Sequence, residues 1–456
     1  MSIGNYHSVY FLGIGGIGMS ALARWFNHLG MKVAGYDRTE TELTRKLESE
    51  GMDIHYNDDN KSIPGWVLDK NKTLIVYTPA IPQDLSEKVY LESKGYTLHK
   101  RSQVLGMLTR DKKTIAVAGT HGKTTTSSMI AHIMIEAQKN CVAFLGGIMQ
   151  GYESNLLMSE NADDQATVVV EADEFDRSFL TLHPDIAVIT STDADHLDIY
   201  HDHSALKQSF QLFADQLQDG GTLVLQNKIA SQFHIDKSVK SYGIEEGDCR
   251  ARNIENIGNA FGFDFSGDED ISSLKLYVPG FHNVENATAA ITSAILSGVD
   301  PEIIKKAIGS YKGVKRRFEY IIKSDDLVYI DDYAHHPVEI KALLESVRAL
   351  YPGKKVTAIF QPHLYSRTRD FVNGFAESLD LADEVLLMPI YPARELPIEG
   401  IGSEIIYNRM SCPTRQIVGE EDLLSAVKKL SPEVLLTIGA GDIDRFPIKI
   451  KEVLNG

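Results

Sequence analysis

Residues 114–127 read TIAVAGTHGKTTTS, an apolar β-branched run, then a glycine turn, then Gly-Lys-Thr-Thr entering a helical pattern. That order is the order of a nucleotide phosphate loop. A turn bracketed by Gly119 and Gly122 lets backbone N–H groups face inward, and the following helix offers the positive end of its dipole to the same anion. Lys123 adds a cation on a flexible stem, and Thr124 carries the hydroxyl that such loops place on Mg2+. The longer spelling of the motif needs a glycine where Val117 stands, so the match is to the shorter G-T-x-G-K-T form. Strand before, helix after and two glycines favour phosphate binding over a plain strand-to-helix turn. Thr120, His121 and Thr125 complete the segment expected around the phosphates.

Two further buried strands follow, each ending in acids. ATVVVEADEFD (166–176) closes in Glu171, Asp173, Glu174 and Asp176, and DIAVITSTDADHLDIYHDH (185–203) closes in Asp193, Asp195, His196 and Asp198. In open parallel sheets ligands lie beyond the carboxyl ends of the strands, so both clusters are expected to face the mouth that holds the phosphate loop. Mg2+ keeps several waters and takes one or two protein ligands beside phosphate oxygens, which Thr124, Glu171 and His196 would satisfy. The plainer reading of these acids is a set of solvated loop carboxylates. From Gly220 the pattern turns to short alternating strands (TLVLQN, SVKSYGI, FGFDFSG, LKLYVPG), expected to form a small β insertion. VPGFHNVENATAAITSAILSG (278–298) then leads into an alanine-rich helix with His282, Asn283 and Asn286 at its start, where polar side chains can cap the helix or reach a ligand.

Upstream, VYFLGIGGIGMSALARWFNHLG (9–30) and KVAGYD (32–37) give a strand, the glycines Gly13, Gly15 and Gly18, a helix, a second strand and the acid Asp37. This is a dinucleotide fingerprint, with glycines that let the backbone approach a pyrophosphate. On its own it leaves open a nicotinamide or flavin, another pyrophosphate ligand, or a turn serving only packing. Downstream, strands LVYIDDYAHHPVEI, KVTAIFQPHLYSRTRD, EVLLMPIYPARE and EVLLTIGAGDID each end in polar groups, among them Asp332, His335, His336, Arg367, Arg369, Arg394 and Asp442. Arginines grouped at strand ends suit an anionic substrate.

The chain of 456 residues carries 46 basic and 63 acidic side chains, a net charge of -17. That balance argues against nucleic acid and anionic membrane as partners. Hydrophobic content of 43% is ordinary for a soluble protein. Three dispersed cysteines without a CxxC pair suit a reducing cytoplasm. The expected fold class is α/β in three domains: an N-terminal Rossmann-like domain (1–110), a central P-loop ATPase-like parallel sheet with a small β insertion (111–312), and a C-terminal Rossmann-like domain (313–456).

Taken in order, GIGGIGMSALA, AGTHGKTTT, EADE, DADHLD, VPGFHNVENA, KRRFE, DDYAHHPVE, FQPHLYSRT, YPARE and GAGDI closely resemble the Mur ligases of peptidoglycan synthesis over nearly the whole chain. The resemblance implies an ATP- and Mg2+-dependent amide ligase in the cytoplasm, a monomer or weak homodimer, with UDP-N-acetylmuramate and L-alanine as substrates. It implies that Gly13, Gly15, Gly16, Ile17, Gly18 and Asp37 hold a UDP-sugar rather than NAD. It further implies that Lys123 binds the outer phosphates and that Thr124, Glu171 and His196 hold metal. His282, Asn283, Asn286, Arg317 and Asp332 would lie by the nucleotide, and His335 and Arg367 near the reacting carboxylate and the amino acid. One departure is Leu364, where the common spelling PHRYSRT has arginine; Arg369 is a candidate replacement. Competing readings are an NAD-dependent oxidoreductase, a non-catalytic nucleotide switch, and a sister ligase with another amino acid.

Overall fold

The computed structural model describes residues 3–193, 203–258, 260–393 and 395–455. The fold is α/β in three domains, each built on its own sheet. The first sheet has five strands, β1 (Ser8–Leu12), β2 (Lys32–Tyr36), β3 (Asp53–His55), β4 (Thr73–Tyr77) and β5 (Leu98–Lys100), in the order β3-β2-β1-β4-β5. All its pairings are parallel. This is the Rossmann order, and its topological switch lies between β1 and β4, where the glycine turn Gly13–Gly18 leaves β1.

The second sheet has ten strands in the order β15-β14-β13-β12-β11-β10-β6-β9-β7-β8. They are β6 (Thr114–Ala118), β7 (Cys141–Met149), β8 (Ser154–Met158), β9 (Thr167–Glu171), β10 (Ile186–Ile189), β11 (Thr222–Gln226), β12 (Ser238–Ile244), β13 (Cys249–Asn256), β14 (Phe261–Ser266) and β15 (Ile271–Leu276). Parallel neighbours β10 and β9 flank β6, so the loops after all three open on one edge. The β-rich stretch after Gly220 is continuous with this sheet, since β11 pairs with β10 and β12 with β11 in parallel. β7 continues past Gly146 and Gly147 to Met149. Its ladder to β9 spans Cys141–Phe144 and its ladder to β8 shifts register between Phe144 and Met149, so the two glycines sit at an irregularity of the strand.

By contacts the chain divides into two compact units: Met1–Arg252 with Asp264–Leu274 and Glu285–Ser310, and Asn253–Phe263 with Lys275–Val284 and Tyr311–Gly456. Within the first unit one apolar core serves both sheets, joining Val9, Phe11 and Trp25 to Phe144, Val168 and Ile189. The Trp25 and Phe144 rings meet edge to face with centroids 6.4 Å apart, worth about 1 kcal/mol beyond the area buried. A polar seam accompanies it, in which Arg24 donates to Asn155 at 2.9 Å and pairs with Glu50 at 2.8 Å.

The second unit carries the third sheet, β16 (Glu319–Lys323), β17 (Val328–Asp332), β18 (Val356–Phe360), β19 (Glu384–Leu387), β20 (Thr414–Ile417) and β21 (Val434–Ile438), in the order β16-β17-β21-β18-β19-β20. Only β16 is antiparallel to its neighbour among the recorded pairings. β17, β18 and β21 are buried throughout, as strands covered by helices on both faces must be.

Candidate active site

Strand β6 is apolar and fully buried, which fixes the start of the phosphate loop at the sheet edge. Gly122, at φ 81°, caps the helix Lys123–Glu136 and has no side chain to occupy its first N–H groups. These are the orphan donors that bind anions. A Cβ on Gly122 would sit 2.6 Å from Asn286 Oδ1, so the turn closes against Asn286 only because the residue is glycine. The loop is further pinned by β10: Thr120 N–H donates to the Ser191 carbonyl at 3.2 Å, its hydroxyl meets Ser191 Oγ at 2.9 Å, and His121 N–H donates to Ser191 Oγ at 2.8 Å. Thr125 is buried behind the loop.

Lys123 Nζ donates to the Gly119 carbonyl at 2.5 Å and to Glu174 Oε1 at 2.9 Å, with Glu174 Oε2 at 2.8 Å. Glu174 is completely buried, and its charge raises the Lys123 pKa against the desolvation that opposes it. Thr124 Oγ1 donates to Glu171 Oε1 at 2.9 Å, and Gly146 N–H donates to Glu171 Oε2 at 2.8 Å. A hydroxyl and a carboxylate side by side at the mouth of an anion loop are a hard-oxygen pair suited to Mg2+. His196 lies outside the described residues, as do Asp195, Asp198 and Arg394.

The glycine turn of the first sheet shares a cleft with Glu171. A cleft of ≈ 310 Å³ is lined by Gly16 and Gly18 on one side and by Gly146, Glu171 and Asp173 on the other, with Arg101 between them. A Cβ on Gly18 would lie 2.7 Å from Arg101 Nη1, so glycine allows the guanidinium to lie over the turn. Asp37 is turned into the turn, accepting from Gly15 N–H at 2.7 Å and Thr39 N–H at 3.2 Å. An acid engaged in this way shapes the loop, which is not the ribose-facing role of a nicotinamide site.

In the second unit, Asp332 at the end of β17 is buried and accepts from Phe318 N–H at 2.7 Å and Ala334 N–H at 2.8 Å. Desolvation raises its pKa to about 6, partly offset by Arg317. Glu339 is the hub here: Arg317 Nη1 lies 3.7 Å and His335 Nδ1 3.3 Å from its carboxylate. The Arg317 guanidinium also stacks over Tyr333 at 5.1 Å. Nδ1 of His335 lies 3.1 Å from the Tyr333 carbonyl, which assigns the ring proton to Nδ1. His336 instead caps the helix Pro337–Leu350 and packs on Phe371. Burial pushes the His282 imidazole down to about 4, and Asn283 Nδ2 donates to the Pro279 carbonyl at 2.7 Å, bracing the loop. Arg367 is buried, with Nη1 3.5 Å from His363 Nδ1, and the His363 ring faces His335 at 6.0 Å. Arg369 is half exposed and paired with its neighbour Asp370 at 2.7 Å.

Sequence reading missed Arg101 and Glu339 and gave Glu174 no partner. Glu339 was detectable as the third helical residue of a H-P-x-E capping box; the other two pairings join segments far apart in sequence.

A phosphate loop with an acidic strand end, coupled to a Rossmann-type glycine turn and followed by a second doubly wound domain, defines a nucleotide-dependent α/β enzyme. The chain belongs to the Mur ligase family. Residues 8–113 match the Mur ligase family catalytic domain, 117–294 the Mur ligase middle domain and 316–441 the Mur ligase glutamate ligase domain. It is 51% identical to the UDP-N-acetylmuramate–L-alanine ligase of Cytophaga hutchinsonii over 99% of this chain and 98% of that one. It is 49% identical to that of Phocaeicola vulgatus over the whole of both chains. Among solved structures, the UDP-N-acetylmuramate–alanine ligase of Thermotoga maritima superposes with a TM-score of 0.80 at 29% identity, covering 98% of each chain.

Proposed function

We propose that this chain joins L-alanine to the carboxylate of UDP-N-acetylmuramate, cleaving ATP to ADP and phosphate through an acyl phosphate, as a step of peptidoglycan precursor synthesis. The observation that carries this reading is the shared cleft: a pyrophosphate-type glycine turn and the Glu171 carboxylate beside the phosphate loop line one space. A nucleotide-linked sugar acid seated on Gly13, Gly15, Gly16, Ile17 and Gly18, with Asp37 shaping the turn, extends its carboxylate toward Lys123. Full-length relatives named for the same reaction support the choice of substrates. We take residues 1–110 as the UDP-sugar domain, 111–312 as the ATP domain and 313–456 as the ligase domain. We take the enzyme to work in the cytoplasm, where its nucleotide substrates occur, and to be a monomer or weak homodimer.

Gly119, Thr120, His121, Gly122, Thr125 and Asn286 form and support the triphosphate cradle, and Lys123 meets the outer phosphates. Thr124 and Glu171, with His196, would hold Mg2+, which supplies charge neutralisation at the transferred phosphoryl group. Bringing a carboxylate to about 4 Å from a phosphate oxygen costs roughly 4 kcal/mol per charge pair at a surface-like dielectric, so Lys123 must stabilise the charge that moves onto the bridging oxygen. His282, Asn283, Arg317 and Asp332 serve the nucleotide from their own unit. Arg367 holds the alanine carboxylate, and His335, with its proton on Nδ1, takes the amine proton at Nε2.

The test is phosphate release with ATP, Mg2+ and UDP-N-acetylmuramate across L-alanine, L-serine and glycine. The highest kcat/KM is expected with L-alanine. Absence of phosphate release with every amino acid overturns the reading.

A further inference from the structure

Two neighbouring acids on the loop after β9 each pair with a cation on a different element. Asp173 Oδ2 lies 3.9 Å from Arg101 Nη2, in the cleft of the glycine turn, while Glu174 clasps Lys123 at 2.8 Å in the phosphate loop. The segment is tied at both ends. Ala172 N–H donates to the Val117 carbonyl of β6 at 2.9 Å, ahead of the phosphate loop. Beyond the acids, the short helix Phe175–Thr181 returns to the helix that begins at Arg101, where Thr181 Oγ1 donates to the Ser102 carbonyl at 2.8 Å. Ser178 Oγ and Phe179 N–H both donate to the Asp173 carbonyl, at 2.8 Å and 3.0 Å.

Resting on the function proposed above, we infer that Asp173–Glu174 is the element that couples UDP-sugar binding to ATP binding. A pyrophosphate reaching Arg101 competes with Asp173, and a triphosphate reaching Lys123 competes with Glu174. Both acids sit on one hydrogen-bonded segment, so displacing either loosens the hold of the other. Each substrate therefore removes part of the obstacle to its partner, which is positive and reciprocal coupling. The same pairing explains a buried carboxylate beside a phosphate loop: Glu174 occupies the lysine until a triphosphate takes it, and the two anions cannot share it without repulsion.

The test measures the Kd of a non-hydrolysable ATP analogue by calorimetry with Mg2+, with and without saturating UDP-N-acetylmuramate, in the full chain. The wild type is expected to bind the analogue at least roughly fivefold tighter with the sugar present, within the usual range of coupling. E174Q is expected to bind the analogue more tightly than wild type without the sugar and to lose most of that coupling. D173N, on the more exposed acid, is expected to bind UDP-N-acetylmuramate more tightly and also to lose coupling. Coupling of wild-type size in both variants, or weaker analogue binding by folded E174Q, overturns the inference. Failure of the wild type to bind either ligand overturns the functional reading instead.

Discussion

The Thr124 hydroxyl donates to Glu171 at 2.9 Å, although the two residues stand 47 positions apart in the chain. The contact exists because β6 and β9 are adjacent parallel strands whose carboxyl ends finish level, with Val117 beside Glu171. One end of the helix Lys123–Glu136 thus meets an acid presented by the neighbouring strand.

From this pair comes the first prediction. Glu171→Gln keeps the hydrogen-bonding shape and removes the charge, so the Mg2+ concentration for half-maximal phosphate release is expected to rise. At ordinary Mg2+ the turnover should fall about 10²- to 10³-fold, the scale for loss of one electrostatic stabiliser. Wild-type turnover without a raised Mg2+ requirement would remove Glu171 from the metal site.

The ion pair between Lys123 and Glu174 gives a stability prediction. Both groups are withdrawn from water, and removing one partner of a buried pair costs about 3–5 kcal/mol because the other charge remains. Lys123→Met is expected to lose ligation and also to lower the urea midpoint, while the double variant with Glu174→Gln recovers most of the midpoint without recovering activity. If the single variant is as stable as wild type, the pair contributes nothing net. UDP-sugar binding should survive in both.

How much of this was legible beforehand follows the range of each interaction. The phosphate loop, the glycine turn and the acids of β9 were readable because strand, turn and helix are written in consecutive residues. The middle of β7 was not readable: Gly146 lies where the ladder to β8 shifts register, and its N–H donates to the Glu171 carboxylate of a neighbouring strand at 2.8 Å. Asp37 was legible as an acid at the end of β2, but not its direction, which depends on the Gly15 amide 2.7 Å away. The pairings of Arg101 and Glu174 were hidden because each partner lies on a different element.

Arg367 carries the third prediction. It is buried beside His363, while Arg369 faces solvent against Asp370 and Leu364 stands where an arginine is usual. On the function proposed above, Arg367 is the guanidinium that holds the amino-acid carboxylate. Lysine cannot reproduce the planar two-point grip. Arg367→Lys is expected to raise the KM for L-alanine roughly 10- to 100-fold, matching about 1.5–3 kcal/mol for a lost charge-assisted bond, with the KM for ATP little changed. An equal rise in both would show that Arg367 serves the whole unit and not the alanine carboxylate.

The last prediction concerns the far side of the first sheet, where Tyr10 donates its hydroxyl to Glu87 at 2.5 Å and His55 Nε2 lies 3.3 Å from the same carboxyl group. Burial pushes Glu87 up from 4.5 to about 7, with the charges of Asp58 and Asp59 adding and the Tyr10 hydrogen bond opposing. Between those values the folded chain holds a proton on Glu87 that the unfolded chain has released. Stability therefore falls as pH rises from about 4.5 to about 7, by about 3 kcal/mol at most, and is level above that range. His55, whose pKa burial lowers, contributes with the opposite sign, losing stability as pH falls, so the wild-type profile alone does not isolate Glu87. The comparison does: Glu87→Gln keeps the side chain's shape without the titration. It is expected to gain stability relative to wild type on moving from pH 5 to pH 8 in urea unfolding. A difference between the two proteins that stays constant across that range would mean Glu87 keeps an ordinary carboxylate pKa in the folded chain, and that the Tyr10 hydroxyl bonds an ionised group.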